Sequence, residues 1–494
     1  MNWIQKLFLK LLKITPALER QINIKEPLSF RANVLKNQIL YRADPSEIEQ
    51  FFKQTAFDDV SKARFWAASP HGKVRKLHSG IVQVVVDRLK DLVIADLDSI
   101  ELATEELNKR WEELAEENTF EDIIGQAVQG ALATGDGALK VVIDPDVSKN
   151  PILEFYEADV VDYTIKRGRI QEVIFWTVYT KDEKEFRLQE IYGKGYVKYK
   201  LFNDKGNEMP LNTLEDTKDL EDVTFAGEFI MAVPVKFFSS TKWKNRGKAL
   251  FDSKSDNIDA LDETISQWMD AIRLSRAIRY IPDDLIPRNL ETGALLEPNP
   301  FDNQFVKIGS SMTEGEKNKV EVSQPSVAYE SYQASYATCL DLTLQGIISP
   351  ATLGIDLKKT DNADSQREKE KVTLYTRGQI INVLNVIIPK IVDVLLKVQD
   401  LIETKTPADY VATVKFGEYA SPGFDNVVEV VGKAKSYGVM STEKAVDELY
   451  GDTMTDKEKA AEVELIKAEN SFTSYDPTLQ NMEADEGGES DEDI

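Results

Sequence analysis

Two helical patterns flank one short, irregular segment in the second half of this 494-residue chain. Residues 255–280 and residues 329–347 both carry apolar side chains spaced three and four apart, which is the spacing of one helical face. Residues 281–327, between them, contain prolines and glycines that stop a helix and favour turns and short strands. The residues expected to pack these two helices together are Ile258, Leu261, Ile265, Trp268, Ile272, Tyr332, Tyr336 and Leu340. The pattern predicts two long helices that carry a small module between them.

The rest of the chain predicts an α+β fold that is predominantly helical. Residues 45–118 show apolar spacings near 3.6 residues and are expected to form helices. Residues 153–202 alternate apolar and polar side chains, which is typical of antiparallel strands joined by short turns. A very long, buried helix is predicted over residues 367–403, with a kink at Pro389 because proline removes a helical hydrogen bond. Residues 411–416 predict a strand, and three short helices follow it.

The charge of the chain limits the ways in which it could bind nucleic acid. It has 60 Lys and Arg against 85 Asp and Glu, a formal net charge of −25, so a clamp that neutralises phosphates with a basic face is disfavoured. Residues 249–280 hold six acids against four bases, and the tail from Asp476 holds eight acids and no base, which predicts disorder in the tail. Acidic side chains are therefore spread through the body of the chain as well as its tail.

The first fifteen residues predict an amphipathic helix with a basic face. Its apolar residues are Trp3, Ile4, Leu7, Phe8, Leu11 and Leu12, and the lysines that fall opposite are Lys6, Lys10 and Lys13. Two interpretations stay open: a membrane-surface or signal role, and a helix docked on its own protein or a neighbouring subunit. The second is favoured because no small-residue cleavage site follows.

The longest apolar tract, residues 383–398, carries Pro389 and charged side chains. It falls short of the ~20 apolar residues that a membrane-spanning helix needs. No stable membrane association is therefore expected.

The sequence carries no recognisable motif for catalysis, a cofactor or a metal. Gly247-Lys248 lacks the earlier glycine of a phosphate-binding loop, and Gly193-Lys-Gly195 is typical of a hairpin turn. The two histidines, His71 and His78, lie in a polar stretch and are expected to be solvated. A single cysteine, Cys339, excludes an intramolecular disulfide framework. Five acids have the spacing of a solvated helix face, with metal catalysis as the less favoured alternative: Asp252, Asp256, Asp259, Asp262 and Glu263.

Four short motifs, in their order along the chain, resemble the portal proteins of tailed bacteriophages, specifically the SPP1-like portal family. They are Gly135–Ile143, Gly247–Ser253 leading into Ile258–Asp262, Ile348–Gly354 and Ser436–Ser441. The resemblance covers nearly the whole chain. It implies a ring of twelve subunits at one capsid vertex, with double-stranded DNA passing through the axis, and a structural protein without enzymatic activity, cofactor or metal.

The resemblance also assigns regions of the chain to parts of a portal subunit. The regions are a wing (1–248 and the kinked helix in 364–410), stem helices (249–280 and 328–348), a clip (281–327), a tunnel loop (349–363), a crown (411–475) and an acidic disordered tail (476–494). In the family the clip contacts the terminase motor first and head-completion proteins later.

Four residues of the predicted tunnel loop are candidates for contact with the DNA. They are Lys358 and Lys359, whose ammonium groups could meet phosphates, and the neutral Thr360 and Asn362. Solvated loop lysines without a function are the equally plausible alternative. The partners implied are further copies of the chain, DNA, the terminase large subunit, an adaptor protein, and the major capsid and scaffolding proteins. The expected location is the portal vertex of the virion, reached from the host cytoplasm during assembly.

Two other classes of function stay open. The acid clusters would suit a metal-dependent nuclease or terminase-like enzyme. A capsid-associated scaffold protein that never touches DNA would also account for the helices without a catalytic motif.

Overall fold

The computed structural model describes residues 28–55, 65–69, 74–276, 278–282, 285–286, 305–309, 319–355, 363–417, 424–450, 454 and 456–473. The chain divides into two compact units, Met1–Phe416 and Gly417–Ile494. Three predicted features lie outside the described residues: the amphipathic helix of residues 1–15, the loop with Lys358, Lys359, Thr360 and Asn362, and the acidic tail.

Helices and mostly antiparallel strands build the first unit, as the α+β prediction requires. Its first five helices are α1 (Phe30–Arg42), α2 (Pro45–Thr55), α3 (Ile81–Ala95), α4 (Glu105–Glu117) and α5 (Phe120–Thr134). Helix α3 follows the apolar spacing closely, because Val82, Val85, Val86, Leu89 and Val93 are all buried.

A short strand interrupts this helical series, so the prediction of helices throughout residues 45–118 is wrong in one place. Strand β1 (Leu97–Leu102) pairs antiparallel with the late strand Ala412–Phe416. The late strand was expected and is confirmed, but it lies in the first unit rather than with the helices that follow it. A pairing partner so distant in sequence leaves no local signal at residues 97–102.

Two antiparallel sheets follow α5. The smaller has the order β10–β2–β3, from β2 (Gly137–Val142), β3 (Ile152–Glu157) and β10 (Ala232–Val235). The larger contains β4 (Val161–Lys166), β5 (Arg169–Lys181), β6 (Lys184–Gly193), β7 (Tyr196–Asn203) and β8 (Glu208–Met209) in that order, and β9 (Val223–Thr224) also pairs with β7. The predicted meander is confirmed, and Lys194-Gly195 forms the predicted turn, with Gly195 at φ 78°.

Two helices with a three-stranded sheet between them come next in the chain. They are α6 (Ser255–Leu274), β11 (Ile278–Pro282), β12 (Phe305–Ile308), β13 (Glu321–Ser323) and α7 (Tyr329–Leu344), and the sheet order is β12–β11–β13. Helix α6 ends six residues before the predicted limit at Tyr280. Residues 278–280 instead belong to β11, which pairs with β12 and β13.

The long helix α8 (Ala363–Ile402) crosses the core, as predicted, and contains Pro389. Its segment Glu370–Ile402 is long and apolar enough, by length and composition, to cross a membrane, and it is the one such helix among the residues that the structure describes. The exclusion of a span from composition alone was therefore too strict. However, 56% of its most apolar window is buried inside the protein, and Ile380, Ile388 and Leu395 are fully buried. A core helix passes the same composition test.

The second unit contains three helices, α9 (Phe424–Ser436), α10 (Thr442–Tyr450) and α11 (Asp456–Thr473). All three were predicted. The expected cap of α10 is present, because the backbone N–H of Lys444 donates to Ser441 Oγ at 3.2 Å.

Candidate functional site: a two-helix stem and its base

Helices α6 and α7, together called the stem, pack against each other in antiparallel order. The side-chain amide of Asn257, near the start of α6, donates to the carbonyl of Leu342, near the end of α7, at 3.0 Å. Further along, the rings of Trp268 and Tyr332 stack with centroids 6.3 Å apart and planes 6° apart. The predicted direction reversal between the two helices is therefore present.

Burial along the stem falls steadily from one end to the other. Ile258, Leu261 and Leu340 are 4%, 1% and 1% exposed and belong to the main core of the unit. Ile265, Trp268, Tyr332 and Tyr336 are half-buried. Ile272 is 43% exposed, so within one chain it does not join the packed seam in which the sequence placed it. The structure brings the other seven predicted residues together.

The opposite end of the stem leaves large apolar side chains uncovered within the described chain. Met269, Ile272 and Leu274 on α6 are 41%, 43% and 63% exposed, and Tyr329 on α7 is 58% exposed. Val322 in β13, which pairs with Arg279 five residues after the end of α6, is 61% exposed. We call these five residues the outer stem surface. Such a group of exposed apolar side chains is typical of a surface that another molecule covers.

Two of the sequence motifs meet at the base of the stem. Buried Asp136 accepts from the backbone N–H of Gly247 at 2.6 Å and from the Arg246 guanidinium at 2.9 Å. Burial raises the pKa of Asp136, and Arg246 and the Gly247 N–H oppose that rise. A Cβ on Gly247 would lie 2.0 Å from the carbonyl oxygen of Gly135. The backbones approach so closely that only glycine fits.

Three of the clustered acids also hold the stem base in place. Asp252 accepts from the side-chain amides of Asn33 and Asn37 on α1, at 2.9 and 2.7 Å. Asp259 accepts from the backbone N–H groups of Trp66 and Ala67, at 2.6 and 3.1 Å. Burial raises the pKa of Asp259, and these N–H groups oppose the rise.

The third acid, Asp262, is 4% exposed. It accepts from the backbone N–H of Ser79 at 2.8 Å and pairs with the Nδ1 atom of His78 at 2.8 Å. The next turn of α6 adds a contact, because Ser266 Oγ accepts from the Leu77 N–H at 2.9 Å. We call residues 65–69 and 74–79, which these groups attach to α6, the strap.

These contacts correct two predictions from the sequence. Asp252, Asp259 and Asp262 are acceptors inside the protein rather than a solvated face, and the side chain of His78 is 3% exposed. His71 lies outside the described residues. Within the described part of the chain, no group of three or more His, Cys, Asp or Glu side chains is placed to hold a metal ion.

The pairing of Asp136 with Arg246 and the strap were missed at the sequence level. The sequence did contain a hint of the Asp136–Arg246 pair, because each of these residues adjoins a glycine of one of the four motifs, Gly135 and Gly247. The strap has no such signal, since its donors are backbone N–H groups that any sequence carries.

No protein-family model matches the chain, and no curated protein sequence matches it. Among solved structures, it is similar to a chain in the virion of a native gene transfer agent particle, with TM-score 0.38, 11% identity, and coverage of 77% of this chain and 89% of that one. It is also similar to chains from the neck of the empty particle, computed with C6 symmetry (TM-score 0.36, 11% identity, coverage 75% and 89%), and from the neck of the native particle, computed with C12 symmetry (TM-score 0.36, 10% identity, coverage 76% and 96%). Similarity at this level does not assign the chain to a family.

Proposed function

We propose that the chain is the subunit of a ring-shaped portal, the head–tail connector through which double-stranded DNA passes at one vertex of a phage-like capsid. The observation that carries the proposal is the stem: two antiparallel helices, fixed at the base and apolar but uncovered at the outer end. A closed ring of identical subunits is the symmetric arrangement in which each copy covers the surface of its neighbour. In this proposal the ring has twelve subunits.

The attachment of the stem base favours a load-bearing part over a loosely tethered hairpin. Asp252, Asp259 and Asp262 connect α6 to α1 and to the strap, and Asp136 connects the preceding loop to β2. Asp136 and Asp262 are buried and Asp252 and Asp259 are half-buried, and fully paired polar groups of this kind fix one arrangement of the elements they join. A conduit that transmits force between a capsid and a packaging motor needs such a fixed base.

The remaining assignments in the proposal follow the resemblance in sequence. The sheet of β11, β12 and β13 belongs to the clip that meets the terminase large subunit and later an adaptor protein. The loop with Lys358, Lys359, Thr360 and Asn362 contacts the DNA. The major capsid and scaffolding proteins surround the ring, which assembles in the host cytoplasm and stays at the portal vertex of the virion.

The hydrogen bonds of the acids remove the main support for the metal-dependent nuclease alternative. Both carboxylate oxygens of Asp259 are used by Trp66 and Ala67 N–H groups. Nuclease activity with Mg²⁺ or Mn²⁺ that disappears in Asp256→Ala and Asp259→Ala would nevertheless restore it.

Ring formation is tested on the full chain by light scattering and negative-stain electron microscopy at several salt concentrations. Closed rings with a central hole are expected, and monomers alone at micromolar concentration would contradict the proposal. Ile272→Asp with Leu274→Asp should abolish rings, because covering the outer stem surface would bury two unpaired charges. Val147→Asp is the matched control, since Val147 is 74% exposed and lies in the loop after β2. Equal loss of rings in both variants would show that the outer stem surface is not the interface.

Contact with DNA is tested in filled particles with a photoreactive residue at position 358. A DNA adduct is expected. If no position from 356 to 362 gives an adduct, the chain is better described as a capsid-associated scaffold that does not touch DNA.

A further inference from the structure

A cleft of about 640 Å³ opens between β1, the outward face of α4 and the first turn of α5. Its base is apolar: the rings of Trp111 and Phe120 meet edge to face with centroids 4.8 Å apart, and Leu97, Ile100 and Ala115 are half-buried beside them. The volume lies within the range of clefts that accommodate ligand or peptide side chains.

The charged residues that line the cleft are all acidic. They are Asp98 on β1, Glu112 and Glu116 on α4, and Glu121 and Asp122 on α5. All five are exposed. Glu112 and Glu116 are one helical turn apart, and like charges at that spacing repel each other. The cleft therefore combines an apolar base with walls of one charge.

These five carboxylates differ from acids just outside the cleft. Glu101 pairs with Lys415 at 2.6 Å, Glu105 with Lys109 at 3.2 Å, and Glu117 accepts from the Asn150 amide at 2.5 Å. By contrast, none of the five cleft carboxylates makes an ion pair or side-chain hydrogen bond with another residue that the structure describes, and only Asp98 lies close enough to Lys415 to help raise its pKa. The unmatched charge is concentrated where the surface is concave.

The first fifteen residues of the same chain have the complementary character. They carry three lysines and no acid, and six apolar side chains at helical spacing. Lysine stems can lie along an apolar surface while their ammonium groups reach a charged rim. The twelve residues 16–27 that connect this segment to the described chain can span roughly 40 Å when extended. A tether that spans the distance to a cleft on its own chain gives a segment a high effective concentration there.

We propose that residues 1–15 dock as an amphipathic helix in this acidic cleft of the same chain. The apolar face packs against the half-buried Leu97, Ile100 and Ala115, because Trp111 and Phe120 beneath them are already 4% and 3% exposed. The lysines meet the carboxylates of the walls, above all Glu112 and Glu116. The proposal is independent of ring formation, because every residue in it belongs to one chain.

Hydrogen-exchange mass spectrometry of the full chain tests docking. Slowed exchange of amides in residues 1–15 is expected, and Glu112→Lys with Glu116→Lys should speed that exchange roughly tenfold or more, since repulsion replaces attraction. The matched control is Glu106→Lys with Glu113→Lys, which makes the same change of charge on exposed positions of the same helix that do not line the cleft. Unprotected amides in the wild type, or equal acceleration in both double variants, would overturn the proposal.

Rescue by charge exchange separates docking from a general loss of structure. Lys6→Glu with Lys10→Glu should also remove protection, and combining these changes with Glu112→Lys and Glu116→Lys should restore it. Failure of the combined variant to regain protection, when circular dichroism shows it folded, would contradict the pairing.

Two further measurements address other positions for the segment. The first uses a mixture of ¹⁴N- and ¹⁵N-labelled chains, whose mixing is verified by native mass spectrometry. Carbodiimide should then couple Lys6 or Lys10 to Glu112 or Glu116 only within one chain, so that both cross-linked peptides carry the same isotope. Mixed pairs would assign the cleft to the segment of a neighbouring copy and overturn the same-chain proposal. Protection that arises only after addition of phosphatidylglycerol vesicles would overturn it in favour of the membrane-surface interpretation.

Discussion

Removing the carboxylate of Asp262 tests whether the strap fixes the base of the stem. Asp262 is 4% exposed, and its two oxygens accept from the Ser79 N–H and face the His78 ring nitrogen, each at 2.8 Å. Asp262→Ala leaves both partners buried without an acceptor, since the His78 side chain is itself 3% exposed.

The expected loss of stability follows from the groups left unpaired. A buried donor without an acceptor costs about 1–3 kcal/mol, so two of them cost roughly 2–6 kcal/mol. This is a large fraction of the 5–15 kcal/mol that is typical of folded proteins. Asp262→Asn keeps the Oδ1 acceptor for Ser79 and should lose about half as much. The free energy of unfolding should therefore increase in the order Asp262→Ala, Asp262→Asn, wild type.

Urea unfolding followed by tryptophan fluorescence measures this effect in the first unit. The control is Glu263→Ala, the next residue on α6, which is half-buried. Among the residues that the structure describes, its side chain accepts only from the Gln267 amide one turn later. The control should change the free energy of unfolding by less than ~0.5 kcal/mol. If the free energy of unfolding of Asp262→Ala differs from that of the control by less than ~0.5 kcal/mol, the strap does not hold the stem base, and the reasoning from buried acceptors fails.

Three further changes test the stem and its base. Gly247→Ala should cost about 1–3 kcal/mol because its Cβ would meet the Gly135 carbonyl, whereas Gly378→Ala, with no atom near its Cβ, should not destabilise the fold in the same unfolding assay. Trp268→Asp should reduce the yield of rings in electron micrographs, since it places a charge against Tyr332; an unchanged yield would show that this contact is dispensable. Burial raises the folded-state pKa of Asp259 above its ordinary value of 3.8, so its contribution to stability is present below that value and is lost as pH rises through the folded pKa. Asp259→Asn should remove this dependence from the pH profile of unfolding; a profile identical to that of the wild type would contradict it.

Local patterns predicted the elements whose cause is local. Helix α8 and the stem helices follow from apolar spacing, and the turn at Gly195 follows from a glycine that can adopt a positive φ. Strand β1 and the end of α6 were missed for the opposite reason. Residues 97–102 and 278–282 become strands because of partners far away in the sequence, and tertiary pairing overrides local preference.

The acids of α6 show a different limit of sequence patterns. Their spacing correctly places them together on the helix, but a helical wheel cannot show what packs against that face. Backbone N–H groups of the strap supply the partners of Asp259 and Asp262, and these donors have no sequence signature. The same pattern therefore fits a solvated face and a buried set of acceptors equally well.

The paired acids of the stem base also change the charge expected for a channel wall in the proposed ring. Residues 249–280 hold six acids and four bases, but Asp252, Asp259 and Asp262 are used inside the stem base. Three acids remain, since 6 − 3 = 3, against the same four bases, three of which are the arginines at 273, 276 and 279 near the outer end. Helix α7 adds Glu330 and Asp341 and no base, so residues 249–280 and α7 together leave five such acids against four bases. Their surface is thus close to neutral rather than strongly acidic. If these residues line the channel of the proposed ring, such a wall would neither hold phosphates strongly nor expel them. It would let DNA slide without the acidic lining that the composition of residues 249–280 indicated.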